Sequence, residues 1–311
     1  MQIEFQRLIL GDRVRNDAFA RALARTVVRG RTTVADLGAG TGFLAFLARR
    51  LGAKRCWLYE VSELLDLSKE LAKRNGIDGL TFVRSHSTEV EKPPKVDVVV
   101  SETLGNFALE ENVLETLQDA RRFLKPGGVM IPQRLRQFVA PVVSPRLAAA
   151  IDVWGAVGHG LDYSLARSVS LQNVFVRTIR KDDLLSTPDA AQTWDSIDFR
   201  RDTESVRSST VEWIFAKPAA LHGFALWWEC DLVEGVTLST APGAPPTHWE
   251  QVFLPPLLPL RLRAGDRLRL ALEVDSRPEV KINLRWRTTV VDPRGRLRVD
   301  ATQDMREGHL E

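Results

Sequence analysis

Three closely spaced glycines follow a short apolar stretch near the start of the chain, and their backbone could bind a ligand. Residues 33–37 have the pattern of a buried strand, and Gly38, Gly40 and Gly42 come directly before a predicted helix over 43–51. Glycine lets the chain turn tightly and lets a ligand approach where a Cβ would block it. The helix offers free N–H groups to that ligand. The pattern is typical of nucleotide and nucleoside sites, although an ordinary strand–turn–helix shares it.

An acidic residue follows at the position that a nucleoside site requires. In dinucleotide-type folds, an acid about 20 residues after the glycines ends the second strand and binds ribose hydroxyls. Glu60 ends the apolar stretch 55–60 and has this spacing. The pattern Gly-x-Gly-x-Gly, with Asp36 two residues ahead, is one residue shorter than the nicotinamide pattern. It resembles the first motif of S-adenosylmethionine-dependent methyltransferases. We therefore expect S-adenosylmethionine as cofactor and disfavour a dehydrogenase.

The elements that must position these residues alternate between strand and helix up to about residue 131. Such alternation predicts a parallel sheet with right-handed crossovers. After Pro132 the pattern changes, and beyond about residue 180 apolar and polar residues often alternate with a period of two. This period favours an antiparallel sandwich or barrel, so the predicted fold class is α/β plus β. The predicted strands are 33–37, 55–60, 80–84, 96–101 and 129–131, and the predicted helices are 12–28, 43–51, 62–74 and 107–125.

Composition indicates a globular protein with two domains. The 311 residues are 44% hydrophobic and 27% charged, and their net charge is +3. No apolar run is long enough to span a bilayer, and Met1–Phe5 lacks a signal-peptide pattern. Cys56 and Cys230 lie in apolar stretches, which favours buried reduced thiols over a disulfide. We expect a cytoplasmic protein without a metal site or a membrane partner. Because the weak positive charge is scattered along the chain, we expect no specific nucleic acid partner either.

Four separated segments together resemble the protein arginine methyltransferase family, in order and spacing, over nearly the whole chain. In the second segment, Glu102 and Glu111 are nine residues apart around a glycine, as in the family's double-glutamate loop. The resemblance implies a Rossmann-like cofactor domain over residues 1–140 and an antiparallel β-barrel domain over 141–311. It also implies a homodimer, formed through a helical dimerisation arm inserted at about 154–177. The four segments are 36–42 with Glu60, 101–111, Thr247-His248-Trp249 and 9–15.

The resemblance also implies roles for single residues. Glu102 and Glu111 would hold a guanidinium through paired hydrogen bonds, offset its charge and direct one nitrogen at the methyl group. His248 would pair with Asp12 and help remove the proton, and Arg15 would bind the carboxylate of the cofactor. The other implied cofactor contacts are Asp36, Gly38, Gly40, Glu60 and either Thr88 or Glu89.

Several of these residues also have a purely structural interpretation. Glu111 could favour a helix N-terminus, Asp12 could be a helix N-cap, and His248 could be an ordinary surface or core histidine. On the acceptor side, the family's Trp-Met pair and its tyrosine are here Thr103-Leu104 and Asn106. The resemblance predicts methyl transfer to a protein arginine, whereas these departures alter the acceptor side and leave methyl transfer itself better supported than this acceptor. A small guanidino or amino metabolite as acceptor, and a non-catalytic scaffold of the same fold, stay open as alternatives.

Overall fold

A five-stranded parallel sheet forms the first half of the protein. The computed structural model describes residues 3–309, so Met1 and Gln2, part of the stretch without a signal-peptide pattern, lie outside the described residues. The strands are β1 Thr33–Leu37, β2 Arg55–Tyr59, β3 Leu80–Val83, β4 Val96–Ser101 and β5 Leu124–Ile131. Their order is β3-β2-β1-β4-β5, and every neighbouring pair is parallel. The predicted Rossmann-like architecture is confirmed.

The strand order reverses between β1 and β4, which lie side by side in the middle of the sheet. In β4, Val96, Val98, Val99 and Val100 are all buried, as expected of a strand that is covered on both faces. Open parallel sheets bind their ligands outside the carboxyl ends of the strands at such a reversal. We therefore expect a ligand site beside the residues that follow β1 and β4.

Helices precede and connect these strands, and apolar spacing explains their orientation. The second helix buries Ala18, Ala22 and Leu23, which recur at intervals of four and one residues along one face. A separate short helix comes before it and was not predicted. The helices are α1 Ile3–Gly11, α2 Arg13–Thr26, α3 Phe43–Arg50, α4 Leu64–Arg74 and α5 Val113–Ala120.

The helix predicted over 107–125 is wrong in its first part and its last part. Only α5 and a single 3₁₀ turn over Arg121–Phe123 are helical, and β5 already begins at Leu124. Before α5, Ala108 and Asn112 have φ values of 68° and 52°. This left-handed conformation cannot continue a right-handed helix, so residues 107–112 form an irregular loop.

An antiparallel β domain forms the second half, as predicted. The strands are β6 Arg134–Val142, β7 Phe175–Arg177, β8 Gln192–Asp198, β9 Val206–Ile214, β10 Ala219–Leu221, β11 Gly223–Val233, β12 Val236–Ser239, β13 Gln251–Leu254, β14 Leu260–Leu262, β15 Arg267–Asp275, β16 Asn283–Val291 and β17 Leu297–Asp304. Strands β7, β13, β11, β6 and β8 form one sheet in that order, and β12 pairs with β11. Strands β17, β16, β15 and β9 form another, and β10 pairs with β14.

The two halves meet before the predicted boundary. Strand β6 pairs with β11 from Arg134 opposite Asp231 to Val142 opposite Gly223, so it belongs to the β domain along its whole length. The boundary predicted between residues 140 and 141 falls inside this strand. The change of sheet takes place between the end of β5 at Ile131 and the start of β6.

A mostly irregular and helical insertion separates β6 from β7. It contains helices α6 Pro145–Ile151 and α7 Ser164–Ser170 and a 3₁₀ turn over Trp154–Ala156. The rings of Trp154 and Tyr163 stack at 6.4 Å. Leu161 and Leu165 are 60% and 79% exposed, which is unusual for leucine side chains.

One continuous apolar core joins the two halves. Phe107, from the loop before α5, stacks on Trp194 of β8 with the ring centres 6.1 Å apart. Cys56 and Cys230 are both buried and free, in agreement with the expectation. Within residues 3–309, no helix combines the length and the apolar character that crossing a membrane demands.

Candidate active site

A cavity lies at the carboxyl ends of β1 and β4, where the strand order reverses. Helix α1 contributes Phe5, Gln6 and Ile9 to its wall. None of these three was among the predicted site residues, although Ile9 lies in the segment 9–15 and their spacing of one and three is that of a helix face. The cavity wall also brings together most of the predicted site residues, namely Arg15, Asp36, Gly38, Gly40, Glu60, Glu102, Glu111 and His248.

The glycine loop forms the floor of this cavity. Gly38, Gly40 and Gly42 have φ values of 69°, 53° and 85°, a region that side chains other than glycine rarely adopt. A Cβ at Gly40 would lie 3.2 Å from the side-chain oxygen of Gln6, and one at Gly38 would lie 3.0 Å from Thr103. Glycine is therefore required here both for the turn and for the space above it.

Two acidic side chains stabilise the loop and its helix. Glu60 accepts hydrogen bonds from the backbone N–H groups of Gly40 at 2.9 Å and Ser62 at 2.8 Å. Each of its oxygens keeps acceptor capacity for a ligand. Asp36 accepts a bond from the N–H of Ala45 in α3 at 2.9 Å, and burial raises the pKa of its carboxyl to about 7. Asp36 therefore also has a structural role at the start of α3.

Arg15 and Glu102 form a buried ion pair inside the cavity. Nε and Nη2 of Arg15 lie 2.7 Å and 2.5 Å from Oε2 of Glu102, and each side chain is 6% exposed. The other oxygen of Glu102 accepts from the N–H of Leu104 at 3.3 Å. The guanidinium also lies 5.5 Å from the ring centre of Phe19. Two residues that the sequence analysis assigned to different ligands thus contact each other.

Glu111 lines the cavity and lies ahead of α5, although it falls inside the helix predicted over 107–125. Among residues 3–309, no hydrogen-bond donor contacts its carboxylate. Partial burial raises the pKa of this carboxyl to about 7, and the negative charges of Glu102 and Glu110 add to that effect. Glu111 also keeps contact with water, which screens part of the repulsion.

Glu110, the neighbour of Glu111, does not line the cavity. Its Oε2 accepts a hydrogen bond from the N–H of Phe107 at 3.2 Å and fills the space beside Gly105. Glu110 therefore stabilises the loop through a hydrogen bond inside it, and its side chain does not share the cavity with that of Glu111.

Asp12 and His248 make contact across 236 residues of sequence. Oδ2 of Asp12 accepts from the backbone N–H of His248 and lies 2.8 Å from its Nδ1. Oδ1 of Asp12 accepts from the N–H of Arg15 at 2.9 Å and caps α2. Asp12 therefore both contacts His248 and caps the N-terminus of α2. In the tautomer that carries its proton on Nδ1, His248 donates to this carboxylate and the lone pair of Nε2 stays available.

Thr88 and Glu89 lie in an exposed 3₁₀ turn outside the cavity wall. Glu89 accepts from the N–H of His86 at 3.3 Å and contacts the hydroxyl of Ser85 at 3.1 Å. A contact of either residue with a cofactor stays a prediction. Within the part of the chain that is described, no group of three or more His, Cys, Asp or Glu side chains could hold a metal ion.

Comparison with known proteins gives two matching family models. The model described as arginine methyltransferase oligomerization subdomain matches residues 134–289, which is half of the chain. The model described as methyltransferase domain matches residues 29–165.

Similar curated sequences come from plants and vertebrates. A "Probable protein arginine N-methyltransferase 6.1" of Oryza sativa subsp. indica is 30% identical over 285 residues, covering 79% of this chain and 74% of the relative. "Protein arginine N-methyltransferase 6" of Xenopus tropicalis is 32% identical over 262 residues, covering 79% and 76%.

Solved structures share the fold along nearly the whole chain. The Trypanosoma brucei PRMT1 enzyme–prozyme complex superposes with a TM-score of 0.84 at 24% identity, covering 97% of this chain and 98% of that one. Arabidopsis thaliana protein arginine methyltransferase 10 gives a TM-score of 0.80 at 24% identity, covering 98% of each chain.

Proposed function

Because the chain belongs to the protein arginine methyltransferase family, we propose that Glu102 and Glu111 bind the guanidinium of an arginine in a protein substrate and present it for methylation. One observation carries the proposal. Both glutamates line the same cavity as the glycine turn and Glu60, although these segments are separated in the sequence. A methyl donor bound at the glycine turn and Glu60 would therefore lie beside an acceptor bound at the two glutamates.

The cavity residues fit S-adenosylmethionine, the cofactor of this family. When bound, this cofactor supplies a methyl group on a positively charged sulfur. Gly38 and Gly40 leave space that a Cβ would fill, and Glu60 keeps acceptor capacity for the ribose hydroxyls. Arg15 uses Nε and Nη2 on Glu102 and keeps further N–H groups for a carboxylate.

Glu102 keeps one oxygen for a substrate guanidinium. Arg15 occupies Oε2. The other oxygen accepts only from the N–H of Leu104 at 3.3 Å and retains acceptor capacity. An arginine guanidinium is a weak nucleophile since it is cationic at every relevant pH. Two carboxylates offset that charge and hold one nitrogen in a fixed direction, and such orientation supplies much of the acceleration in a one-step displacement.

His248 is the proposed proton acceptor. Methylation leaves a substituted guanidinium with one proton to lose, and Nε2 of His248 can take it directly or through a water molecule. Asp12 orients the ring and stabilises the charge that then forms, through its 2.8 Å contact with Nδ1.

We also propose that the enzyme is a homodimer in which residues 154–177 act as the dimerisation arm. The match to the oligomerization subdomain model supports an oligomer. The exposed leucines Leu161 and Leu165 support this segment as the contact. The β domain is proposed to be the barrel of the family.

A small guanidino or amino metabolite is the second candidate acceptor. It is favoured by the acceptor side of the loop, where Asn106 turns its side chain toward the N–H of Glu250 at 2.8 Å. The hydroxyl of Thr103 is buried and has no hydrogen-bond partner among residues 3–309, so it could bind a polar acceptor.

Transfer of a labelled methyl group tests both candidates. The parent enzyme is incubated with radiolabelled S-adenosylmethionine and a cell lysate that has been separated into protein and small-molecule fractions. Label in arginine of the protein fraction supports the proposal, and label only in the small-molecule fraction supports the second candidate.

Matched variants test the glutamates. Glu102→Gln and Glu111→Gln should each lower turnover at least about 100-fold while cofactor binding persists, because the acceptor loses its orientation and its counter-charge. Glu110→Gln, assayed well above the pKa of Glu111, is the control, since an amide oxygen can still accept from the N–H of Phe107. If the first two variants turn over like the parent, the glutamates are structural and the mechanism is wrong.

A further inference from the structure

The loop that carries the two glutamates is attached to the β domain by two buried indoles. Trp249 donates from Nε1 to the carbonyl of Leu104 at 2.6 Å. Trp228 of β11 donates from Nε1 to the carbonyl of Gly105 at 3.1 Å. Both indoles are almost completely buried, and their rings meet edge to face at 5.0 Å. Two successive residues of the loop are thus held by side chains from the other half of the protein.

A third bond extends the attachment by one residue. The backbone N–H of Glu250 donates to Oδ1 of Asn106 at 2.8 Å. Three consecutive loop residues therefore contact the β domain, midway between Glu102 and Glu111. The bonds come from two separate segments of that domain, the strand β11 and the segment around Trp249.

The loop depends on these contacts because its own structure is strained. Ala108 and Asn112 are two of the four non-glycine residues with positive φ within residues 3–309. Such a conformation is unfavourable for a residue that has a side chain, and it persists only where its surroundings determine it. Within the loop, the two backbone bonds between Gly105 and Ala108 and the carboxylate of Glu110 give local support. They do not fix the loop relative to the rest of the cavity.

Trp228 is held more firmly than the loop that it contacts. It lies near the middle of β11, which pairs with β6 and β13 and carries β12 as well. The backbone N–H of Trp228 donates to the hydroxyl of Thr240 at 3.1 Å. The position of a side chain on such a strand is set by the sheet, so it can set the position of an irregular loop that it contacts.

We infer that Trp228 is a positioning residue for the reaction, because its indole N–H fixes the loop that sets the separation of Glu102 and Glu111. The inference rests on the proposed function of these glutamates. Trp228 does not line the cavity, so it acts through the backbone of Gly105. The sequence analysis did not single out this residue.

The test compares Trp228→Phe with Trp213→Phe. Both variants keep an aromatic ring and lose one buried bond from an indole N–H to a carbonyl, since Trp213 donates to the carbonyl of Ala190 at 2.9 Å. We expect Trp228→Phe to lower kcat on an arginine peptide about 10-fold or more with little change in cofactor affinity. Trp213→Phe should keep the kcat of the parent.

Hydrogen exchange of the loop gives a readout that does not depend on turnover. Amides of residues 103–109 should exchange about 10-fold faster in Trp228→Phe than in the parent, and at the parental rate in Trp213→Phe. Asn106→Ala, which removes the third bond, should act in the same direction. It serves as the second variant if Trp228→Phe folds poorly.

Two results would overturn the inference: unchanged exchange of the loop in Trp228→Phe, or equal losses of kcat in the two tryptophan variants. Failure of the proposed function would look different. In that case the parent enzyme itself transfers no methyl group to arginine, whereas exchange of the loop still shows whether Trp228 fixes its position.

Discussion

The guanidinium of Arg15 lies on the carboxylate of Glu102, with Nε and Nη2 both directed at the same oxygen, Oε2. The two residues are 87 positions apart and equally buried. The pair neutralises Glu102 before any substrate binds. It also leaves Glu102 with acceptor capacity on its second oxygen, which the N–H of Leu104 only partly uses.

Breaking this pair from one side should destabilise the protein. Arg15→Met removes the positive partner and leaves a buried carboxylate uncompensated, which should lower the free energy of unfolding by about 3–5 kcal/mol. Urea denaturation followed by circular dichroism measures this change. The double variant Arg15→Met, Glu102→Gln should recover most of the loss. A single variant as stable as the parent would show that Glu102 has another source of compensation.

Activity should rise with pH through about 7. In the proposed mechanism Glu111 binds a guanidinium as a carboxylate, and the pKa of its carboxyl is raised to about 7 by partial burial and by Glu102 and Glu110. The profile of kcat/KM against pH should therefore have an acid limb near that value. Glu110→Gln removes one of the repelling charges and should move the limb to lower pH. An identical limb in this variant would exclude Glu110 as a source of the shift.

Glu111 should also make the free energy of unfolding fall as pH rises, whereas activity rises. The pKa of Glu111 is higher in the folded protein than its ordinary value of 4.5, so between about 4.5 and 7 the folded state binds more protons than the unfolded state. Its contribution to stability is therefore present at low pH and is lost as pH rises through this window. Glu111→Gln should make the free energy of unfolding less dependent on pH between 5 and 8, measured by urea denaturation at each pH. An unaltered dependence would assign it to other groups, such as Asp36.

Loss of Glu60 should weaken cofactor binding. Glu60→Ala leaves ribose hydroxyls without an acceptor and frees the N–H of Gly40, which should cost about 1–3 kcal/mol of binding free energy. Isothermal titration calorimetry with S-adenosylmethionine measures this loss. Glu63→Ala is a suitable control, because Glu63 is exposed and makes no capping bond to α4. Equal affinities of both variants would place the ribose elsewhere.

Charges on the arm should separate a dimer into monomers. Leu161→Glu and Leu165→Glu each place a carboxylate in the proposed contact, where burial would cost several kcal/mol. Light scattering at micromolar concentration should give the mass of two chains for the parent and of one chain for these variants. Ile214→Glu, at a 68% exposed position of β9, should leave the mass of the parent unchanged. A parent that is monomeric would rule out the proposed arm contact.

Local spacing predicted the parallel sheet and the grouping of the glycine turn with Glu60, because both are encoded by short-range patterns. Gly38, Gly40 and Glu60 fall within two neighbouring strand ends, and the register of β1 on β2 brings them together. The contact of Asp12 with His248 was also predicted, although only through the resemblance to a family. Nothing in the composition of either segment indicates a partner more than 200 residues away.

The parts that sequence did not predict depend on long-range contacts or on backbone strain. Apolar spacing favours a helix over 107–125, whereas Asn112 adopts a left-handed conformation that ends any helix there. The pair of Arg15 with Glu102 was missed because each residue was assigned to a separate ligand. Trp228 was missed because a tryptophan in an apolar strand is ordinarily a core residue, and only the folded chain shows where its N–H points.

The contact of Trp228 with Gly105 has a consequence for recombining this protein with its relatives. A chimera that joins the parallel-sheet half of this chain to the β domain of another family member would keep the glycine turn and both glutamates. It would lose an N–H donor to the loop wherever the grafted strand carries a side chain without one at that position. If Trp228 positions the loop as inferred, a chimera therefore calls for paired substitutions on both sides of the contact.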